Sequence, residues 1–261
     1  SADNNLQSLT LTSLENIPLI RRDDNLADIV LKSLQDTGLE LQDNDILVLA
    51  QKIVSKAEGR KVNLTTVSPS PHAIDLAQQT EKDPRVVELM LQESNEVLRT
   101  RVGTIIVEHK LGFVCANAGI DHSNVAGDGD MAEEWVLLLP EDPDHSCDLL
   151  RDEIKSKTGK HIGVVIIDSH GRAWRNGTVG VAIGMSGVPG IIDKRGDKDL
   201  FGYTLRITII GAADELAAAA SLVMGQASEG KPVVHVRGFP YPLQEGSLKE
   251  LIRPKEQDMF R

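Results

Sequence analysis

Gly163-Val164-Val165-Ile166-Ile167-Asp168-Ser169-His170-Gly171-Arg172 is the stretch on which the fold turns. Four consecutive β-branched residues predict a strand buried on both faces, and the polar run from Asp168 to Arg172 predicts its end. Ile46-Leu47-Val48-Leu49-Ala50 has the same character. It predicts a second core strand, followed by Gln51 to Arg60 as a polar, basic loop.

Outward from these two strands the periodicities change. Leu26, Ile29, Val30 and Leu34 recur at helical spacing and Gly38 follows, predicting an amphipathic helix with a glycine stop. Thr65 to Pro71 is rich in Ser, Thr and Pro and marks a break, after which Pro84 to Leu98 carries a helical pattern. Thr104 to Val107 and Gly112 to Ala116 flank a polar turn and predict a hairpin whose second strand runs on toward Asp121. Pro143 to Lys157, closed by Gly159, predicts a helix with Lys155 and Lys157 in its last turn, where the dipole favours cations. Thr178 to Met185, Tyr203 to Ile210 and Val233 to Val236 predict further strands, and Ala213 to Gln226 an alanine-rich helix. Strands outnumber helices without regular alternation, so the fold class is α+β, with mixed sheets and packed helices. Residues 1-16 form a lead-in, 17-245 the domain, with room for two interleaved subdomains, and 246-261 a tail.

The chain has 261 residues, 41% hydrophobic and 3% aromatic, with 28 basic against 39 acidic side chains and a formal net charge of -11. Such a balance offers no general attraction to nucleic acid or anionic membrane, and so few aromatics supply little for base stacking. No run approaches the ~18 apolar residues of a membrane span, and Ser1 to Asn5 is polar rather than signal-like. Cys115 and Cys147 are too few for a disulfide framework, as expected of a cytoplasmic protein. Asp121 to Glu153 holds eleven carboxylates against the one base Arg151, ten of the eleven net charges. Phosphate-bearing ligands must therefore be held locally.

Two familiar fingerprints fail. Gly225 to Pro232 matches a P-loop spacing but puts Pro232 where a Ser or Thr should hold magnesium, and it follows a helix rather than a strand. Gly127 to Ala132 reads G-x-G-x-x-A, yet no strand leads into it and Asp128 and Asp130 would repel a pyrophosphate. What remains is a set of acids at strand ends, Asp121 and Asp168 each following an apolar strand at once. Asp121 and Asp168, with Ser123, Asn124 and Ser169 beside them, are hard ligands suited to Mg²⁺ or Mn²⁺. Taken singly, an aspartate in such a place more often ends a strand or caps a turn. Gln226 and Glu229, three apart, could add oxygens or could be a solvated helix end. Ser55, Lys56 and Arg60 could hold phosphate oxygens or form an exposed basic turn. His122, His145 and His170 adjoin these acids without zinc spacing and read as supporting groups.

Taken in order, the segments Ile17 to Ile20, Gln51 to Arg60, Ala118 to Asn124, Leu138 to Ser146, Ile167 to Arg175, Val181 to Gly187 and Ala213 to Gly238 resemble the coenzyme F-420-0:L-glutamate ligases, the gamma-glutamyl ligases of the deazaflavin coenzyme. The resemblance implies their fold in an intertwined homodimer. It implies GTP-dependent addition of L-glutamate, and of further gamma-linked glutamates, to the lactyl-phosphate carboxylate of F-420-0 through an acyl phosphate, leaving GDP and phosphate. It implies two divalent cations, Mg²⁺ or Mn²⁺, with a monovalent cation such as K⁺. Carried over by position, Asp121 and Asp168 would be catalytic, and Asp121, Asp168, Ser169 and Gln226 would hold metal. Ile17, Pro18, Leu19, Ile20, Ser55, Lys56, Arg60, Asn124, Met224, Gly225, Gln226, Ala227, Ser228, Glu229, Gly230 and Lys231 would contact GTP. Arg60 departs from the lysine expected there. The rival readings are a metal-dependent phosphohydrolase, since the same donors could serve water, and a non-catalytic GTP- or deazaflavin-binding protein.

Overall fold

The computed structural model describes residues 7–122, 134–225 and 230–260. Its chain begins with β1 (Thr10–Ser13), α1 (Leu26–Thr37), β2 (Ile46–Ala50) and α2 (Gln51–Ala57), and continues through β3 (Lys61–Asn63), α3 (Pro71–Thr80), α4 (Pro84–Gln92), β4 (Ser94–Arg101), β5 (Thr104–His109), β6 (Val114–Ala116) and β7 (Trp135–Leu137). It closes with α5 (Pro143–Thr158), β8 (Gly163–Arg172), β9 (Arg175–Ser186), β10 (Ile192–Asp193), β11 (Ile209–Ile210), α6 (Ala212–Met224), β12 (Val233–Arg237) and α7 (Leu248–Leu251).

The two apolar runs lie side by side. Strands β2 and β8 pair in parallel at the centre of a five-stranded sheet of order β1-β12-β2-β8-β9, whose other neighbours are antiparallel. Their unbroken hydrophobicity follows from cover on both faces. On one face Leu47, Leu49, Val164 and Ile166 pack with α1, α2 and α5 through Val30, Leu34, Ile53, Cys147 and Ile154. On the other, Ile46, Val48, Val165 and Ile167 meet α6 through Ala213, Leu216, Ala217 and Ala220. At ~1.5–3 kcal/mol for each large side chain taken out of water, these two layers dominate the stability of the sheet. The alanines bring α6 unusually close: a Cβ at Gly180 of β9 would lie 2.5 Å from the Ala217 carbonyl oxygen.

Between α2 and α5 the chain builds a second unit with its own core. The sheet β4-β5-β6, the pair β3-β7 and helices α3 and α4 enclose Leu64, Leu76, Val87, Met90, Ile105, Val107 and Val136. Phe113 packs against this core and against the α1/α2/α5 layer, so it marks the seam.

Local signals set the helix ends. Asn25 caps α1, accepting from the Asp28 amide at 2.8 Å, and Gly38 ends it at φ 74°. Ser70 before Pro71, Asp83 before Pro84 and Asp142 before Pro143 start α3, α4 and α5 in the same way, a polar cap ahead of a proline that needs no amide partner.

Several expectations need correction. Gln51 to Ala57 is helix, not loop: it contains no glycine or proline, and Ile53 and Val54 bury against the sheet. The helix expected through Leu98 stops at Gln92, because residues 94–101 pair with β5 as β4. Asp168 does not end its strand: β8 continues to Arg172, paired with the outer half of β9. The Ala213 helix ends at Met224, short of Gln226. Of Tyr203 to Ile210 only Ile209–Ile210 is strand. Its neighbours bond irregularly back to residues 194–199, and Ile207, 88% exposed, has no layer to pack against.

At the amino end of β2, Asp45 is buried and saturated. It takes Arg237 Nε at 2.8 Å and Nη2 at 2.7 Å, His235 Nε2 at 2.8 Å and the Gln42 amide at 2.8 Å. Burial pushes its carboxyl up, but the bonds from Arg237 and His235 outweigh it and hold the group below the usual carboxylate value.

Candidate functional site

At the opposite, carboxyl end of β2 and β8 the surface opens into a cavity of about 450 Å³. Ends of parallel strands are the usual place for a ligand, because the loops that follow diverge there. Its walls come from five places: the turn after β1, the start of α2, the middle of β8, the end of α6 and the segment before β12.

Many of the expected residues meet on these walls. Ile17, Pro18, Leu19, Ile20, Lys56, Asp168, Ser169, Met224, Gly225, Gly230 and Lys231 all line the cavity. Asp121 reaches it indirectly. Its backbone bridges to Leu137 in the second unit, and its Oδ2 lies 2.6 Å from Nζ of Lys52, which lines the cavity. Two expected residues point elsewhere. Ser55 is buried, with Oγ donating to Gln51 Oε1 at 2.9 Å. Arg60 donates from Nε to the Leu139 carbonyl at 2.8 Å and pairs through Nη2 with Glu93 at 2.7 Å, holding α2 to the second unit. Asn124, Gln226, Ala227, Ser228 and Glu229 lie outside the described residues.

The geometry around Asp168 has an identifiable cause. Ile166 pairs with Gly184 and Ile167 with Ala182, so the outer strand carries an extra residue, Ile183, just before the Asp168–Val181 pair. Such a bulge re-aims the side chains beyond it, and Asp168 and Ser169 follow directly after Ile167 there. Asp168 Oδ2 lies 3.0 Å from His170 Nε2. The His170 ring in turn packs on Phe113, ring centroids 5.1 Å apart, and Phe113 stacks on His109 at 5.2 Å. Position 225 needs glycine, since its φ of 74° with ψ of 174° is closed to other residues.

The charges form a pattern. Lys52 and Lys56 stand one helical turn apart, and both line the cavity. Burial, then the neighbouring Lys52 charge, lowers the Lys56 ammonium below its ordinary value, with Asp121 opposing. Lys231 is paired with Glu15 at 2.7 Å at the rim. Among the described residues no group of three or more His, Cys, Asp or Glu side chains forms a metal cluster. The arrangement can therefore neutralise a polyanion with ammonium groups while presenting the oxygen donors Asp168 and Ser169 beside it.

Reading the sequence missed Lys52 and Gln51, whereas His170, expected as a supporting group, does pair with Asp168. The i, i+4 spacing of Lys52 and Lys56 is the available signal, and it places the two on one face only if the segment is helix.

Comparison with known proteins places the chain. A family model described as F420-0:Gamma-glutamyl ligase matches residues 15–238. The protein named "Coenzyme F420:L-glutamate ligase" from Methanothermobacter thermautotrophicus is 46% identical over 255 residues, covering 97% of this chain and 99% of that one. Proteins of the same name from Methanococcus maripaludis strain C6 and Archaeoglobus fulgidus are 47% and 43% identical, covering 94% and 95% of this chain and 94% of each relative. Among the described residues no helix is long and apolar enough to cross a membrane.

Proposed function

The chain belongs to the F420-0:gamma-glutamyl ligase family, and from that premise we propose that it joins L-glutamate to coenzyme F420-0, with GTP supplying the activation. The observation that carries this reading is the gathering of Lys56, Asp168, Ser169, Gly225, Gly230 and Lys231 around one cavity at the carboxyl end of the central strands.

An amide does not form from a carboxylate and an amine at neutral pH unless the acyl group is activated. In the proposed sequence a carboxylate oxygen of the acceptor attacks the γ-phosphorus of GTP and GDP leaves. The amine of glutamate then attacks the acyl carbon of the resulting acyl phosphate, gives up a proton, and inorganic phosphate departs. Little covalent work falls to the protein, whose tasks are placement and stabilisation of phosphoryl charge. Lys56 and Lys231 answer the phosphate charge. The left-handed backbone at Gly225 and Gly230 leaves room without a side chain for close approach. Ile17 to Ile20 form an apolar wall that can take the flat purine.

Asp168 and Ser169 in the cavity, with Asp121 held beside it by Lys52, are hard oxygen donors and fit Mg²⁺ or Mn²⁺, two ions in this reading, with Gln226 as a further candidate ligand. Bound there, such ions would act as Lewis acids toward phosphoryl oxygens. His170 fixes Asp168, and Lys52 keeps Asp121 compensated within a protein of net charge -11. The reading includes a homodimer: Trp174, Leu200, Phe201 and Ile207 are 88 to 99% exposed, apolar side chains that a second copy could cover.

The test is ligation with F420-0, L-glutamate, GTP and Mn²⁺, followed by mass spectrometry of the coenzyme, with ATP replacing GTP as control. The expected result is a mass increase of one or more glutamyl units with GTP. GTP cleavage at one rate with and without acceptor and glutamate would instead establish a phosphohydrolase, and nucleotide binding without product a binding protein.

A further inference from the structure

Lys52 is assigned above to neither nucleotide nor cation ligation, yet it stands where the charges of the cavity meet. It lies in the first turn of α2, lines the cavity, and holds Asp121 Oδ2 at 2.6 Å from its Nζ. Lys56, four residues on, faces the same space. Two ammonium groups at this spacing repel one another along a helix. In a chain with net charge -11 there is no shortage of acids to separate them. Their placement together against a cavity is relieved by an anion carrying several charges.

The ion pair imposes a second constraint. An ammonium group and a divalent cation compete for the same carboxylate oxygen. While Lys52 holds Asp121 it spares the cavity a bare negative charge that would repel phosphate. Once a cation takes Asp121, the ammonium is displaced on a long flexible stem beside the cavity it already lines.

Resting on the cation-dependent ligase reading, we propose that Lys52 is a further phosphoryl-binding residue, held on Asp121 until a divalent cation takes that carboxylate and then turned to the transferring phosphoryl group. A salt bridge serving only the fold would, when broken, lower stability and leave turnover at saturating ligands intact.

The experiment is titration of Mn²⁺ into the full chain without nucleotide, paired with turnover at saturating Mn²⁺, GTP, F420-0 and glutamate. In Lys52→Met the competitor is gone, so Mn²⁺ should bind about tenfold more tightly, while turnover falls about a hundredfold for loss of a phosphoryl contact. Lys52→Arg keeps the charge and should keep the parent's Mn²⁺ affinity, which separates loss of competition from damage to the fold. Unchanged or weaker Mn²⁺ binding in Lys52→Met, or undiminished turnover, overturns the proposal. Asp121→Asn distinguishes the two levels of failure. If it binds Mn²⁺ as the parent does, the assignment of Asp121 to a cation falls. If it loses Mn²⁺ while Lys52→Met behaves like the parent, only the role of Lys52 falls.

Discussion

The two ends of the central sheet both carry aspartates, and they use them in opposite ways. At the amino end of β2, Asp45 is 1% exposed and spends its oxygens on the Arg237 guanidinium, the His235 ring and a backbone amide. At the carboxyl end, Asp168 sits on a cavity with His170 on one oxygen, and Asp121 is held by Lys52, which lines that cavity. A buried carboxylate with both oxygens bonded to several donors stabilises a fold and has no capacity left for a ligand. One that faces a cavity with a single or movable partner keeps that capacity. The distinction lies in the partners, not in the residue.

Four substitutions test this contrast. The largest effect is expected from Asp168→Asn. Ligation should fall by at least about a thousandfold, several kcal/mol of transition-state stabilisation, while the melting temperature stays near that of the parent. A large drop in melting temperature would erase the contrast. Asp45→Asn should do the reverse, costing about 3 kcal/mol in denaturant unfolding by leaving Arg237 without its counter-charge and disturbing the bond to His235, with specific activity of the folded protein retained. Because the Asp45 carboxyl is held below its ordinary value, its contribution is present above about pH 4 and is lost as pH falls through the depressed value, so Asp45→Asn should flatten the acid limb of stability.

His109 sharpens the comparison from the second unit. Burial first, then the charges of Lys110 and Arg60, push this histidine down to about 4 from 6.5. Its Nε2 has no hydrogen-bond partner among the described residues. The unfolded chain therefore takes up the proton earlier, and stability should decline as pH falls from about 6.5 to about 4, by up to about 3 kcal/mol. His109→Gln should remove that slope in urea unfolding measured across the window. The smallest effect is expected at the rim: Glu15→Gln should change stability by no more than about 0.5 kcal/mol, as for other exposed pairs, and leave Lys231 more available to nucleotide, read as a modestly lower KM for GTP.

The sequence made the apolar strands and the capped helices plain, because continuous β-branched runs and polar-proline starts are local signals. Ile46 to Ala50 and Gly163 to Ile167 could hardly be anything but core strands. The site was less legible. Lys52 and Lys56 share a face only once Gln51 to Ala57 is known to be helix, and that helix depends on burying Ile53 and Val54 against strands distant in sequence. The bulge at Ile183 is likewise a property of pairing between β8 and β9, with no residue of its own to announce it. The second unit's separate core was hidden for the same reason: Leu64 and Val136 meet only in space.

That second unit has a mechanical consequence. Asp121 rides on it through the bridge to Leu137, whereas Asp168 belongs to the central sheet. Any molecule gripped by both would fasten two hydrophobic bodies already joined at the Phe113 seam, the Arg60–Glu93 clasp and the Lys52–Asp121 pair. Occupancy would then be felt far from the ligand as a tighter union of the halves, and heating the loaded enzyme should melt them in a single, steeper transition.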